Sequence, residues 1–164
     1  MKISYAIPVC NEHVELEKLL DFLEYHIQVE DEVVVQCDQG NTTPEVYKVL
    51  DNERYSDGFR RQLKVIEFPL NGHFSNFKNN LKEHCTGDWI FQIDADELPH
   101  ESLIINLKSL LKINPTTEMF LVPRVNTVEG LTTKGALPME EEWCLYHPKN
   151  IKRQEAQNNF YNTI

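Results

Sequence analysis

Apolar residues along the first 122 positions alternate between short continuous runs and runs with helical spacing. The continuous runs predict strands, because four to eight apolar residues bounded by loop formers are typical of buried β-structure. They occupy 3–9, 32–36, 63–68, 89–93 and 119–122. The spaced runs predict amphipathic helices at 14–27, 74–85 and 103–113, with a short helix beginning at Thr43 and Pro44.

Strands that alternate with helices at this interval predict an α/β fold, with a mostly parallel sheet and helices on both of its faces. Asn11 is placed to cap the first helix, and Gly87 is suited to a left-handed residue after the third. The pattern weakens after Pro123: residues 124–128 form a candidate strand, whereas 129–150 show no clear period.

Composition and charge narrow the class of protein. A chain of 164 residues with 41% hydrophobic and 26% charged residues is typical of one folded domain. The formal charge of -10 repels polyanions, so no nucleic-acid partner is expected. The sequence predicts neither a signal peptide nor a transmembrane segment, and its four scattered cysteines indicate reduced thiols, so we expect a cytoplasmic protein.

Polar residues follow three of the predicted strands, where ligands bind in an open α/β sheet. They are Asn11, Glu12, Asp38, Asp94 and Asp96. Asp94 and Asp96 are separated by one small residue, so their charges repel unless a cation neutralises them. Mn²⁺ or Mg²⁺ prefers carboxylate oxygens together with substrate phosphates, which predicts a metal-bound nucleotide diphosphate. The alternative is a solvated acidic turn near a helix N-terminus.

Several segments together resemble the family 2 glycosyltransferases, inverting enzymes with the GT-A fold. Residues 87–97, G-D-W-I-F-Q-I-D-A-D-E, are similar to that family's D-x-D segment. Residues 8–12 resemble its P-x-x-N-E segment, and residues 33–38 its second strand, which ends in an acidic residue. Residues 71–80 resemble its glycine-containing loop and following helix, with Lys78 where arginine is common. Residues 122–130 are similar to a subgroup that includes lipopolysaccharide-core glycosyltransferases.

The resemblance implies a single GT-A domain over 1–164, in which 1–122 bind the nucleotide sugar and 123–164 form part of the acceptor side. Asp38 and the loop at Pro8 would hold the nucleoside, and Asp94 the ribose or sugar. The residues thereby assigned to the nucleotide sugar are Pro8, Asn11, Glu12, Asp38, Lys78 and Asp94. Asp96, together with Asp94, would hold Mn²⁺ or Mg²⁺ on the diphosphate.

The implied reaction transfers a sugar from a UDP- or GDP-sugar to a hydroxyl of a carbohydrate or glycolipid acceptor, in polysaccharide, lipopolysaccharide or glycoconjugate synthesis. Inversion requires a carboxylate base, and the family's base lies beyond the D-x-D segment. Glu141, with Glu140 as the second choice, is the candidate, although three successive glutamates are also typical of a solvated surface. The chain stops where related enzymes continue, which predicts a short or truncated member.

Three other functions remain open at this point. A truncated member would be a remnant that binds the donor without efficient transfer. A nucleotidyltransferase of the same fold would carry a glycine-rich basic loop after its first strand, but residues 8–14 contain neither glycine nor lysine. A non-catalytic α/β interaction module would use its acidic surface for a partner protein and would show no nucleotide affinity.

Overall fold

The computed structural model describes residues 1–123, 127–128, 131–132 and 142–146. The strands are β1 Ile3–Val9, β2 Glu32–Asp38, β3 Leu63–Phe68, β4 Trp89–Gln92, β5 Met119–Pro123, β6 Thr127–Val128, β7 Leu131–Thr132 and β8 Glu142–Tyr146. The helices are α1 His13–His26, α2 Pro44–Leu50, α3 Asp57–Gln62, α4 Phe74–Glu83 and α5 Glu101–Ile113. None of the helices in these ranges is long and apolar enough to cross a membrane.

The strands of the main sheet are ordered β3-β2-β1-β4-β8-β5. The first four are parallel, which confirms the predicted mostly parallel sheet. β8 lies between β4 and β5 and runs antiparallel to both. The sequence did not predict β8, because its neighbours in the sheet lie far from it along the chain and local periodicity carries no information on such pairing.

Helices cover both faces of the sheet, as predicted. One face is buried under α1, α2, α3 and α5, in a large apolar cluster that includes Leu16, Leu20, Phe59 and Leu107. The other face is covered by α4, whose Leu81 packs against strand residues in a smaller cluster. Each fully buried side chain of this size contributes about 1.5–3 kcal/mol to folding, so the larger cluster holds the domain together.

Two predicted helix ends differ from the structure. The residue that caps α1 is Glu12 rather than Asn11, and its side chain makes no capping hydrogen bond. Gly87 is not left-handed; a Cβ there would lie 2.7 Å from the backbone nitrogen and the hydroxyl of Ser4. Glycine is therefore required because β1 approaches closely, and α4 has already ended at Glu83.

Two segments were assigned incompletely from the sequence. α3 was not predicted, because its six residues are too few to show helical periodicity. It begins at Asp57 and is capped by Ser56, whose hydroxyl accepts the Phe59 N–H. β2 extends to Asp38, which the apolar pattern placed in the following loop and the family resemblance placed at the end of the strand. Asp38 is consequently held by the sheet itself, a more rigid position than a loop would give.

Candidate functional site

The predicted site residues lie around the carboxyl ends of β1, β2 and β4. β1 pairs with β2 on one side and with β4 on the other, so the order in which strands are added reverses between β1 and β4. In open α/β sheets ligands bind at such a reversal, in the crevice beyond the strand ends. The residues that follow β1 and β4 therefore flank the expected binding crevice.

Three of the predicted residues share one face of the sheet. Pro8, Asp38 and Asp94 alternate with residues that are buried under α1 and its neighbours, so they point toward the face covered by α4. Those buried chain neighbours are Val9, Cys37 and Ile93. The structure thus brings together one predicted residue from each of three adjacent strands.

Asp94, Ala95, Asp96 and Glu97 form a tight turn directly after β4. The Asp94 N–H donates to Glu97 Oε2 at 2.9 Å, and the Glu97 N–H donates to the Asp94 carbonyl at 3.0 Å. Ala95 is buried in the core, whereas Asp96 is exposed and its carboxylate has no hydrogen bond or ion pair within the described part of the chain. The turn therefore presents the Asp96 carboxylate to solvent.

Lys78 of α4 reaches Asp94. Its Nζ lies 3.2 Å from Asp94 Oδ1, and the Lys78 side chain is only 17% exposed whereas that of Asp94 is 44% exposed. The buried Gln36 amide donates to the Phe77 carbonyl at 2.6 Å and so fixes α4 on β2, one residue before Lys78. The predicted basic residue is thus held at the D-x-D turn and is not simply a solvated helix residue.

The Asp38 carboxylate joins two loops at the end of β2. Oδ1 accepts the Leu70 N–H at 2.9 Å, and Oδ2 accepts from the side-chain amide of Asn41 at 3.0 Å. The loop at Leu70 continues through a left-handed turn at Asn71 and Gly72, with φ of 48° and 73°. Asp38 is 5% exposed, so it borders the crevice mainly by fixing these loops, and a ligand would meet only its edge.

Glu12 closes the loop after β1. Its Oε2 accepts the N–H groups of Cys10 and Asn11, at 2.9 and 3.0 Å. The Cys10 carbonyl accepts the Thr43 N–H at 3.0 Å, which ties this loop to the start of α2. Burial, and then the carboxylates of Asp38 and Glu12, raise the pKa of Cys10, so its sulfur is a neutral thiol. Asn11 is exposed beside the crevice.

The oxygen ligands at the Asp94 turn are compatible with a divalent ion that is shared between the protein and a diphosphate. Within the described residues, no group of three or more histidine, cysteine or acidic side chains is arranged to hold a metal. Asp94 and Asp96 offer only two carboxylates, so a hard cation here would take its remaining oxygen ligands from water and a diphosphate. These residues fit Mn²⁺ or Mg²⁺ that arrives with a nucleotide, and they do not form a complete protein cage.

Glu140 and Glu141, the predicted bases, lie outside the described residues. The next residue, Glu142, begins β8, and β8 pairs antiparallel with β4 through Ile90–Tyr146 and Gln92–Cys144. The amino end of β8 therefore lies at the same sheet edge as the Asp94 turn. A cavity of about 580 Å³ between Trp89 and the end of α5 lies at the opposite edge of β4, and none of the predicted residues lines it.

The role of Glu97 was missed from the sequence. The available signal was its spacing, because Glu97 follows Asp94 by three residues. An acidic side chain can accept the backbone N–H of the residue three positions before it, as in a helix capping box. The Leu70 N–H that Asp38 binds could not be predicted, since that contact spans 32 residues between the end of β2 and a loop.

Comparison with known proteins gives a family and a set of related structures. The glycosyl transferase family 2 model matches residues 4–163. No curated protein matches the chain by sequence. Residues 1–349 of S. aureus TarS in complex with UDP superpose with a TM-score of 0.71 and 17% identity, covering 90% of this chain and 47% of that chain.

Two further structures give the same picture. The TarS fragment with UDP-GlcNAc has a TM-score of 0.66 and 21% identity, over 80% of this chain and 36% of that one. The mannosyltransferase PcManGT from Pyrobaculum calidifontis, in complex with GDP-Man and Mn²⁺, has a TM-score of 0.59 and 24% identity, over 74% and 35%. These likenesses confirm the GT-A fold, and the chain spans less than half the length of each of these proteins.

Proposed function

Because the chain belongs to glycosyl transferase family 2, we propose that it binds a nucleotide diphosphate sugar with Mn²⁺ or Mg²⁺ and transfers the sugar, with inversion, to an acceptor hydroxyl. The observation that carries this proposal is the position of the Asp94 and Asp96 carboxylates, the first partly exposed and the second exposed, at the reversal of strand order. A purely structural acidic turn has no reason to lie there with one carboxylate paired to a lysine and the other presented to solvent.

The donor is a UDP- or GDP-sugar in this proposal. Crystal structures of the TarS fragment hold UDP or UDP-GlcNAc, and the PcManGT structure is a complex with GDP-Man and Mn²⁺, which supports this class of ligand for a related fold. Pro8 and the edge of Asp38 border the nucleoside, with Asn11 beside them. Glu12 contributes through the shape of its loop, since one of its oxygens already accepts two backbone N–H groups.

Asp96 holds the metal ion together with Asp94, and Asp94 also lies on the ribose or sugar side. The bound metal would neutralise charge on the departing diphosphate. Lys78 balances the charge of Asp94, so the two aspartates can lie close together before any ligand arrives. The lysine also brings a positive charge to the place where the anionic diphosphate would enter, against a whole-molecule charge of -10.

The acceptor side belongs to residues 123–164 in this proposal, and 1–122 bind the donor. Glu141, or else Glu140, takes the proton of the acceptor hydroxyl while that oxygen attacks opposite the diphosphate. The support for Glu141 is its position in the chain directly before β8, whose first residue lies at the edge of the sheet that carries Asp94. The acceptor is a carbohydrate or glycolipid of polysaccharide, lipopolysaccharide or glycoconjugate synthesis.

The substitution Asp96→Asn tests the donor site. We expect the wild-type protein to bind UDP or GDP only when Mn²⁺ or Mg²⁺ is present, and the variant to lose about 100-fold in affinity because it lacks a charged metal ligand. The measurement is isothermal titration calorimetry with and without metal. The exposed Asp51→Asn on the other side of the sheet is the matched control, and both variants should unfold at the wild-type temperature.

The outcomes separate the candidate functions. A wild-type protein that binds neither nucleotide with either metal would contradict the transferase proposal and would leave the interaction module as the alternative. Metal-dependent binding without any sugar transfer to a panel of glycan acceptors would identify a donor-binding remnant. Transfer that is lost in Glu141→Gln, with nucleotide affinity retained, would support the assignment of the base.

A further inference from the structure

We propose that Glu97 is a positioning residue: its carboxylate holds the turn that presents Asp94 and Asp96 and contacts neither the metal nor the donor. This inference rests on the donor site proposed above. It adds a residue that the family resemblance did not assign, and it predicts a specific pattern among conservative substitutions at that position.

The first support is where the sheet hydrogen bonds end. The Ile93 N–H donates to the Ala6 carbonyl at 3.0 Å, which continues the β1–β4 ladder by one residue beyond Gln92. The Asp94 N–H is the next donor along the chain, and Glu97 Oε2 accepts it at 2.9 Å. The Glu97 carboxylate therefore accepts the first backbone N–H beyond the sheet, and it fixes the backbone at Asp94, whose side chain is proposed to bind the ligand.

The second support is that the bond is reciprocal. While Glu97 accepts the Asp94 N–H, its own N–H donates to the Asp94 carbonyl at 3.0 Å. Two hydrogen bonds, one of them assisted by charge, close the same four-residue turn. Because Ala95 is buried between the two aspartates, a turn fixed at both ends leaves Asp94 and Asp96 little freedom to separate.

The third support is electrostatic. Three carboxylates lie within four residues, and without compensation they would drive the turn open. Lys78 compensates Asp94, and the backbone N–H that Glu97 accepts compensates Glu97. The Asp96 carboxylate therefore remains available for a cation. A site in which one carboxylate is the main metal ligand needs this distribution of charge among the three acidic residues.

The loop after β1 is built in the same manner. Glu12 Oε2 accepts the N–H groups of Cys10 and Asn11, immediately beyond the end of the strand. Both strands that border the crevice are thus followed by a loop whose backbone is held by its own glutamate. A repeated arrangement on the two neighbouring strands at the reversal of strand order indicates a function in shaping the crevice.

The experiment compares Glu97→Gln, Glu97→Asp and Glu97→Ala. Glutamine can still accept the Asp94 N–H but cannot serve as a base and is a poor ligand for a hard cation. Aspartate keeps the charge but is one methylene too short to reach. The positioning role therefore predicts that Glu97→Gln resembles the wild type, whereas Glu97→Asp and Glu97→Ala are both impaired. Glu101→Ala, which removes an exposed carboxylate nearby, is the control.

Two readouts are needed. The first is amide hydrogen exchange of the segment 93–98 in the protein without nucleotide or metal, which should accelerate about 10-fold in Glu97→Ala and Glu97→Asp and stay near the wild-type rate in Glu97→Gln. The second is the affinity for UDP or GDP with Mn²⁺, where we expect losses of about 10-fold or more for the same two variants and less than about threefold for Glu97→Gln.

Each result has a defined meaning. Equal losses for Glu97→Gln and Glu97→Ala in nucleotide affinity would show that the charge itself acts on the ligand, and the positioning role would be wrong. Unchanged exchange and affinity in Glu97→Ala would also overturn it. If the wild type binds no nucleotide, the proposed function fails, while the exchange rates still report independently whether Glu97 holds the turn.

Discussion

The two edges of the parallel sheet both carry acidic residues, but they use them differently. At the amino edge, Asp31 is 3% exposed and accepts the N–H groups of Ile3 and Gln28, and it lies 2.8 Å from Lys108 Nζ. Glu32, in the same region, accepts hydrogen bonds from Lys2, Ser4 and Thr86. Every carboxylate oxygen of this pair therefore has a partner inside the protein.

At the carboxyl edge, Asp94 has one lysine partner and is 44% exposed, and Asp96 is exposed without a side-chain partner within the described residues. Satisfied carboxylates stabilise the fold, whereas exposed ones placed together are costly unless a ligand uses them. The comparison teaches that the number of partners, rather than the acidic residue itself, distinguishes a structural carboxylate from one that is available for binding. We therefore expect substitutions at the amino edge to lower the stability of the fold, and substitutions at the carboxyl edge to lower the affinity for a nucleotide.

The largest loss of stability is expected from Gly87→Ala, at the amino edge. The new Cβ would lie 2.7 Å from the Ser4 backbone nitrogen, which cannot move without distorting β1. We expect the free energy of unfolding to fall by about 2–3 kcal/mol, as is usual for overpacking, with the nucleotide affinity of the folded protein unchanged. Urea unfolding and calorimetry with UDP or GDP measure the two quantities.

Gly58→Ala is the matched control for that substitution. Gly58 lies in α3, and the nearest atom to a Cβ there is the Ser56 hydroxyl oxygen at 3.9 Å. Alanine should be neutral there or stabilise the helix by up to about 1 kcal/mol. If both alanine variants were equally stable, the close approach of Gly87 to Ser4 would not be a constraint on the fold.

A smaller loss is expected from Glu32→Gln, and it should depend on pH. Burial raises the pKa of Glu32, but the hydrogen bonds from Lys2, Ser4 and Thr86 outweigh burial and lower the pKa to about 2. Since the folded-state pKa lies below the unfolded value, the stabilisation is present above about pH 4.5 and is lost as the pH falls toward 2.

At pH 7 we expect Glu32→Gln to lower the free energy of unfolding by about 1–2 kcal/mol. The loss is modest because Lys2 is 35% exposed and water screens the ion pair. The difference should shrink as the pH falls from 4.5 toward 2, and the exposed Glu53→Gln is the control. A constant difference across this range in urea unfolding would contradict the ionic account of the amino edge.

The smallest effect on stability is expected from Lys78→Ala, at the carboxyl edge. An ion pair whose acid is 44% exposed contributes less than about 0.5 kcal/mol to folding. The affinity for UDP or GDP should nevertheless fall about 10-fold, because the anionic diphosphate would lose the positive charge that Lys78 places beside Asp94. Lys82→Ala, one turn further along α4, is the control in the same calorimetric titration. A large loss of stability without loss of affinity would make this edge structural as well.

The sequence predicted the parallel core of the fold because each of those elements has its own local pattern. β1 to β4 are continuous apolar runs, and α1, α4 and α5 have apolar residues at helical spacing. Their existence was confirmed, with boundaries that differ by a few residues. β8 was missed because the insertion of 142–146 between β4 and β5 depends on pairing across the sheet, which no local period reveals.

The candidate site was predicted from the same alternation. Asp38 ends β2 and Asp94 comes after β4, and the sequence placed both at strand ends because the buried face fixes the register of each strand. The partners of these residues could not be anticipated in the same way. The Leu70 N–H on Asp38 and the packing of Lys78 against Asp94 both depend on how a loop and a helix return to the sheet.

The position of β8 has a consequence for the order in which the domain is made. β4, which carries the Asp94 turn, is paired with β1 on one side and with β8 on the other. A nascent chain that has emerged from the ribosome only as far as α5 therefore has β4 as an open edge strand, with backbone groups that can pair with another chain. Until residues 142–146 emerge, the strand that leads into the Asp94 turn therefore exposes an unpaired edge that is open to aggregation.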